Sequence, residues 1–93
     1  MNNTEMLSML KIDLGITAKA YDARLSQLLQ IAAAEIAAEG ATTISPSTSI
    51  ADANLVIMYA AWLWRRRDTM IAMPRMLRWQ LNNRVFKEKM VTA

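Results

Sequence analysis

The sequence contains neither cysteine nor histidine. Disulfides, Cys/His zinc or haem sites, thiol nucleophiles and every histidine-based triad are therefore excluded. Only 2 glycines and 2 prolines occur, too few to turn a chain of many short strands. With Gly15 and Gly40 far apart, neither a phosphate-cradling loop nor a dinucleotide fingerprint can be built. The longest uninterrupted apolar run, Leu55 to Trp64, is ten residues, whereas a membrane span needs about 20. The opening Met1-Asn2-Asn3-Thr4-Glu5 lacks the basic and apolar segments of a secretory leader. The expectation is a protein without a membrane span, made and kept in cytoplasm-like surroundings.

What remains is a chain of 93 residues that is 54% hydrophobic and 20% charged. That balance folds, and at this length it predicts one domain spanning residues 1–93. Helical periodicity and the shortage of turn residues predict an all-α fold, a small bundle of about four helices with one short N-terminal helix and three longer ones. A domain this small leaves about a third of its unfolded-chain surface exposed, so one core is modest for so apolar a sequence. Charge is also uneven, with net −2 over residues 1–46 and net +5 over the remainder. Such asymmetry suits nucleic acid, an anionic surface, or an acidic face on another copy of the same chain.

A first helix is predicted from about Thr4 to Lys11, with Gly15 marking a break after Leu14. In the second, about Ala18 to Glu39, Tyr21, Leu25, Leu28, Leu29, Ala32 and Ile36 recur at helical spacing, and Gly40 stands where a left-handed residue closes a helix. Its alanine-rich second half allows another backbone to approach. Ala41 to Thr48 carries Ser-Pro-Ser and reads as the flexible connection. Ser49 with Asp52 resembles a capping box in which Asp replaces Glu, opening a third helix that runs to about Asp68. A linker, Thr69 to Met73, leads to Pro74 in the first turn of a fourth helix ending near Lys89.

Projected at about 100° per residue, the fourth helix has two apolar stripes. Leu77, Leu81 and Val85 form one. Met76, Trp79, Phe86 and Met90 form the other on the opposite side, with Asn83 as a polar residue within it. A helix in so small a bundle can bury only one of these against its own core, which predicts that a second chain covers the other. The third helix shows the same excess: Leu55, Met58, Tyr59 and Trp62 on one side, Ile57 and Trp64 nearly opposite, Val56 and Leu63 between. Either it is the central core helix or it too offers a face to a neighbour.

Candidate sites are few. Arg65-Arg66-Arg67 spread over about 200° of helix circumference, so they cannot all face one DNA backbone. They suit the negative C-terminal end of the third helix. Arg75, Arg78, Asn82 and Lys89 share one face of the fourth helix beside Trp79, which fits either a nucleic-acid-reading stripe or a solvated or intersubunit polar face. Glu35 and Glu39, one turn apart, lack a cleft or metal-ligand set and read as a solvated face rather than an acid/base dyad. The eight methionines fit adaptable packing surfaces. No catalytic, cofactor or metal site is predicted.

One run of local segments has a wider likeness. Ile12-Asp13-Leu14-Gly15-Ile16, Tyr21-Asp22-Ala23-Arg24-Leu25, Ala33-Ala34-Glu35-Ile36 with Glu39-Gly40, Leu55 to Arg65 with Arg67, Met73-Pro74-Arg75-Met76-Leu77-Arg78, and Leu81-Asn82-Asn83-Arg84 follow in an order that resembles the small head-tail connector (head-completion adaptor) proteins of long-tailed double-stranded DNA phages. The similarity covers about Leu10 to Lys89. It implies a non-enzymatic virion protein at the head-tail junction, assembled in the host cytoplasm. Such a protein forms a homo-oligomeric ring below the portal, extends the DNA channel and docks a tail-side adaptor or completion protein. DNA would pass through without sequence-specific binding. The family has no catalytic residues to transfer; the matched positions Tyr59, Trp62, Arg67, Pro74, Arg78, Asn82 and Asn83 are implied fold or interface determinants. Arg75, Trp79 and Phe86 join them from the helical projection, and Arg65 from the basic run that closes the third helix.

Two other functions compete. A small helix-turn-helix-like DNA-binding protein would place Arg75 and Arg78 at the start of its reading helix, although the apolar linker is long for that turn. A partner-binding helical module would take up an amphipathic peptide on its Met-rich stripe without self-assembly.

Overall fold

The computed structural model describes residues 1–66 and 72–92. Four α-helices follow in order: α1 (Asn3–Leu14), α2 (Asp22–Ala38), α3 (Ile50–Arg65) and α4 (Arg75–Thr92), with a single 3-10 turn at Lys19–Tyr21 leading into α2. Among the described residues there is no strand. The fold is a small all-α bundle, as the composition predicts. The third helix ends at Arg65 with Arg66 as its cap, short of the expected Asp68; Asp68 itself and most of the linker fall outside the described residues.

Local chemistry sets the helix ends. Asn2 Oδ1 accepts the Glu5 amide at 2.8 Å and Glu5 Oε1 accepts the Asn2 amide at 3.3 Å, a reciprocal cap that starts α1. At its far end Gly15, at φ 69°, turns the chain while its amide reaches Ile12 O and the Ile16 amide reaches Lys11 O. The same pair of closing bonds ends α2: Gly40 to Ala37 O and Ala41 to Ile36 O, with Ile36 and Ala41 both fully buried. α2 starts at Asp22 rather than Ala18. Lys11 Nζ lies 2.8 Å from the Asp22 carboxylate, which tethers the first turn of α2 to α1.

Helix α3 is the core. Ala53, Leu55, Val56, Ile57, Tyr59, Ala60, Ala61 and Leu63 are buried, and α3 packs on α1, α2 and α4. Of the two readings open for this helix, the structure has the central core helix: most of its apolar surface is covered by its own chain, with Met58, Trp62 and Trp64 half-buried at the edges. Small residues make this possible, since Ala32 on α2 and Ala53, Ala60 and Ala61 on α3 let the backbones approach. Trp64 closes the far edge in a T-shaped contact with Tyr21, 5.5 Å between ring centroids. Glu35 is likewise not a solvated acid. Half-buried, it accepts a hydrogen bond from the Tyr59 hydroxyl, and burial together with that carboxylate pushes the phenol pKa up to about 12.

The molecule measures 44 × 29 × 18 Å. Its thin dimension holds about two layers of helix, so the outer layers are wetted on one side.

Candidate interaction surface

Helix α4 lies along α3 on Leu77 and Leu81, which are 1% and 0% exposed, with Val85 half-buried beside them. Pro74 sits just before the helix, not within its first turn, and its carbonyl accepts the Arg78 amide at 3.0 Å. The opposite stripe faces outward. Met76 is 59%, Trp79 62%, Phe86 64% and Met90 68% exposed. Asn83 within that stripe, and Asn82, Arg75, Lys87 and Lys89 along its flanks, are exposed as well. Arg78 lies 3.9 Å from Glu39 with both side chains wet, a pairing that contributes little. A contiguous apolar strip on a helix of this length is the kind of surface that marks a protein contact.

What holds α4 with this face outward is a polar latch. Arg84 Nε donates to Asp52 Oδ1 at 2.8 Å, and its Nη2 reaches Asp52 Oδ2 at 3.5 Å and Thr43 Oγ1 at 3.1 Å. One turn on, Glu88 Oε1 accepts the Thr43 amide and the Thr43 hydroxyl, each at 2.6 Å. The Ser45 amide donates to Asp52 Oδ2 at 3.0 Å. These bonds correct two expectations. Segment 41–48 is pinned between α3 and α4 rather than free, and Ser49 with Asp52 is only half of a capping box. Ser49 Oγ accepts the Asp52 amide at 3.3 Å, but the Asp52 carboxylate is drawn away to Ser45 and Arg84.

Electrostatics agree with that geometry. Burial alone would raise the Asp52 pKa; the bonds from Arg84 and Ser45 outweigh it and hold the carboxyl below its ordinary range. The Thr43 hydroxyl and amide pull Glu88 down in the same way, helped by the Arg84 charge. Both carboxylates are held in their ionised, hydrogen-bonded form by these partners. The cleft beside them, about 480 Å³ and lined by Thr43, Ser49, Asp52, Asn83, Arg84 and Lys87, is nearly charge-balanced. Among the described residues no three acids converge as a metal site, and no helix is long and apolar enough to cross a membrane.

Compared with known proteins, the chain matches no family model, no curated protein and no solved structure. The surface therefore has to be read from its own residues. Tyr59 is buried, and Trp62, half-buried, meets it edge-on at 5.5 Å. Arg66 stacks its guanidinium 4.5 Å over the Trp62 ring, while Arg65 in the last turn of α3 is exposed. Arg67 lies outside the described residues. The candidates thus divide: Tyr59 and Trp62 belong to the packing around α3, whereas Arg75, Arg78, Trp79, Asn82, Asn83 and Phe86 share the outer half of α4.

Asp52, Arg84 and Glu88 were not predicted as a unit. A signal for them exists. Glu88 falls seven residues after Leu81 on the buried side of α4, and an acid among inner-face leucines requires a partner. A second missed feature is α1, whose Met9 and Ile12 are 40% and 72% exposed. A groove of about 310 Å³, lined by Met9, Asp13, Asn54, Ile57, Met58 and Gln80, runs beside them.

Proposed function

We propose that this chain is a structural adaptor that assembles with copies of itself into a ring, in the manner of the phage head-tail connectors it resembles. On this reading the ring sits below a portal protein at the head-tail junction of a virion and extends the DNA channel. It offers a docking surface to a tail-side adaptor or completion protein and catalyses no reaction. The observation that carries the proposal is the exposed stripe Met76, Trp79, Phe86 and Met90, fixed outward by the burial of Leu77 and Leu81 behind it. An isolated molecule would hold that apolar strip in water; a neighbour removes it.

Native mass spectrometry across a concentration series, with and without duplex DNA, tests it. Ring-sized species that grow with concentration and ignore DNA are the expected result. Stable dimers that shift onto duplex with a steep salt dependence would instead establish the helix-turn-helix-like regulator. A monomer that captures an amphipathic peptide and never self-assembles would establish the partner-binding module.

A further inference from the structure

We infer that the apolar stripe of α4 seats on the exposed face of α1 in the next copy, giving a head-to-tail contact rather than a symmetric pairing of two α4 stripes. The inference rests on the ring-assembly reading and names the surface that reading leaves open.

The first argument is charge. The stripe is bordered by Arg75 and Lys87, with Lys89 and Arg78 farther round the exposed side. α4 itself offers no acid there, because its only acid, Glu88, is buried in the latch at 4% exposure; Glu39 at the end of α2 accompanies Arg78 alone, at 3.9 Å, so the border met by a partner is that of Arg75, Lys87 and Lys89. Two such stripes face to face would bring cation against cation, which costs affinity and slows encounter. A stripe with this border needs a partner that is apolar in the middle and acidic at the edges.

The chain carries one. Glu5, Met9, Ile12 and Asp13 stand at i, i+4, i+7 and i+8, so they share one face of α1. All four are exposed, with Ile12 at 72% among the most exposed large apolar residues of the molecule. Lys11, the basic residue of α1, is turned away and paired with Asp22. The face is therefore acid, apolar, apolar, acid, the complement of the α4 pattern. It continues into the groove between Met9 and Met58, which gives a large side chain such as Trp79 somewhere to enter. Because the two faces sit on different helices, one copy can give its α4 while receiving another, and a contact of that kind closes into a ring when the rotation permits.

Absence of native cysteine makes the contact directly measurable by oxidative cross-linking. Ile12→Cys and Asn83→Cys both replace exposed residues, one on each face. Oxidised together in one chain they are expected to give a ladder of covalent dimers, trimers and longer species on a denaturing gel, while either single variant stays monomeric. Dimers from Asn83→Cys alone would reveal stripe-on-stripe packing and overturn the inference. Glu5→Lys with Asp13→Lys should weaken assembly about tenfold, and Arg75→Glu with Lys87→Glu added to the same chain should restore it. Ring-sized species in native mass spectrometry without the ladder would remove the α1 seat and leave the ring reading standing. A monomer at every concentration would remove both.

Discussion

Arg84 of α4 and Asp52 of α3 meet at 2.8 Å across 32 residues of chain, with side chains 15% and 9% exposed. The pair does in polar terms what Leu77 and Leu81 do in apolar ones: it fixes the rotation of α4 about its own axis. Losing the cation while keeping the acids should be costly, since Asp52 and Glu88 would face each other's charge with no guanidinium between them. Arg84→Met is expected to lower unfolding free energy by about 3 kcal/mol, read as a shift in urea midpoint at unchanged slope. Asp52→Asn added to it should recover part of that loss, because an uncharged pair leaves less to satisfy.

Acid should open the same latch. Asp52 and Glu88 are both held below their ordinary values of 3.8 and 4.5, so each binds a proton less readily folded than unfolded. Their stabilisation is complete above about pH 5, where the unfolded carboxyls are ionised too, and it is lost as pH falls through the lower folded values. Melting temperature is expected to stay level from about pH 7 to 5 and to drop below about pH 4. Glu88→Gln should melt lower at neutral pH and decline less steeply in acid; scanning calorimetry across the range checks both.

The two stripes of α4 were legible because a period of 3.6 residues separates inner Leu77 and Leu81 from outer Trp79 and Phe86 without any tertiary information. Tertiary arrangement decided the rest. Nothing local distinguishes α3 as the central core helix from one shared with a neighbour; the answer depends on how closely Ala32, Ala60 and Ala61 let other helices approach. The latch was hidden for a related reason, since Asp52 satisfies an N-terminal acid rule whether or not Arg84 arrives to claim its carboxylate. Segment 41–48 read as free because turn residues report backbone preference, not the distant Glu88 that takes up the Thr43 amide.

Gly40 and Gly15 should respond differently to alanine. At Gly40, φ is 129° and a Cβ would stand 3.0 Å from Val85 Cγ1, so both backbone and space oppose a side chain. At Gly15, φ is 69° and no heavy atom lies within 4 Å of the added carbon. Gly15→Ala is expected to cost about 1 kcal/mol, the ordinary left-handed penalty, and Gly40→Ala more than about 2 kcal/mol because strain and overlap add. Val85→Ala in the Gly40→Ala background should relieve the overlap alone, leaving a double-mutant coupling that denaturant titrations resolve.

Opposite sides of α4 should separate folding from assembly. Leu81 has no exposed surface, and its truncation leaves a cavity beneath the helix; Leu81→Ala is expected to cost about 2–5 kcal/mol of stability. Trp79 and Phe86 keep more than half their surface in water, so Trp79→Ala or Phe86→Ala should move the unfolding of dilute monomer by no more than about 0.5 kcal/mol. The same two variants should lose the ring-sized species in native mass spectrometry, because a buried aromatic anchor typically carries a large share of a contact's energy. Equal loss of stability and assembly would place those rings in the internal core and withdraw α4 as an interface.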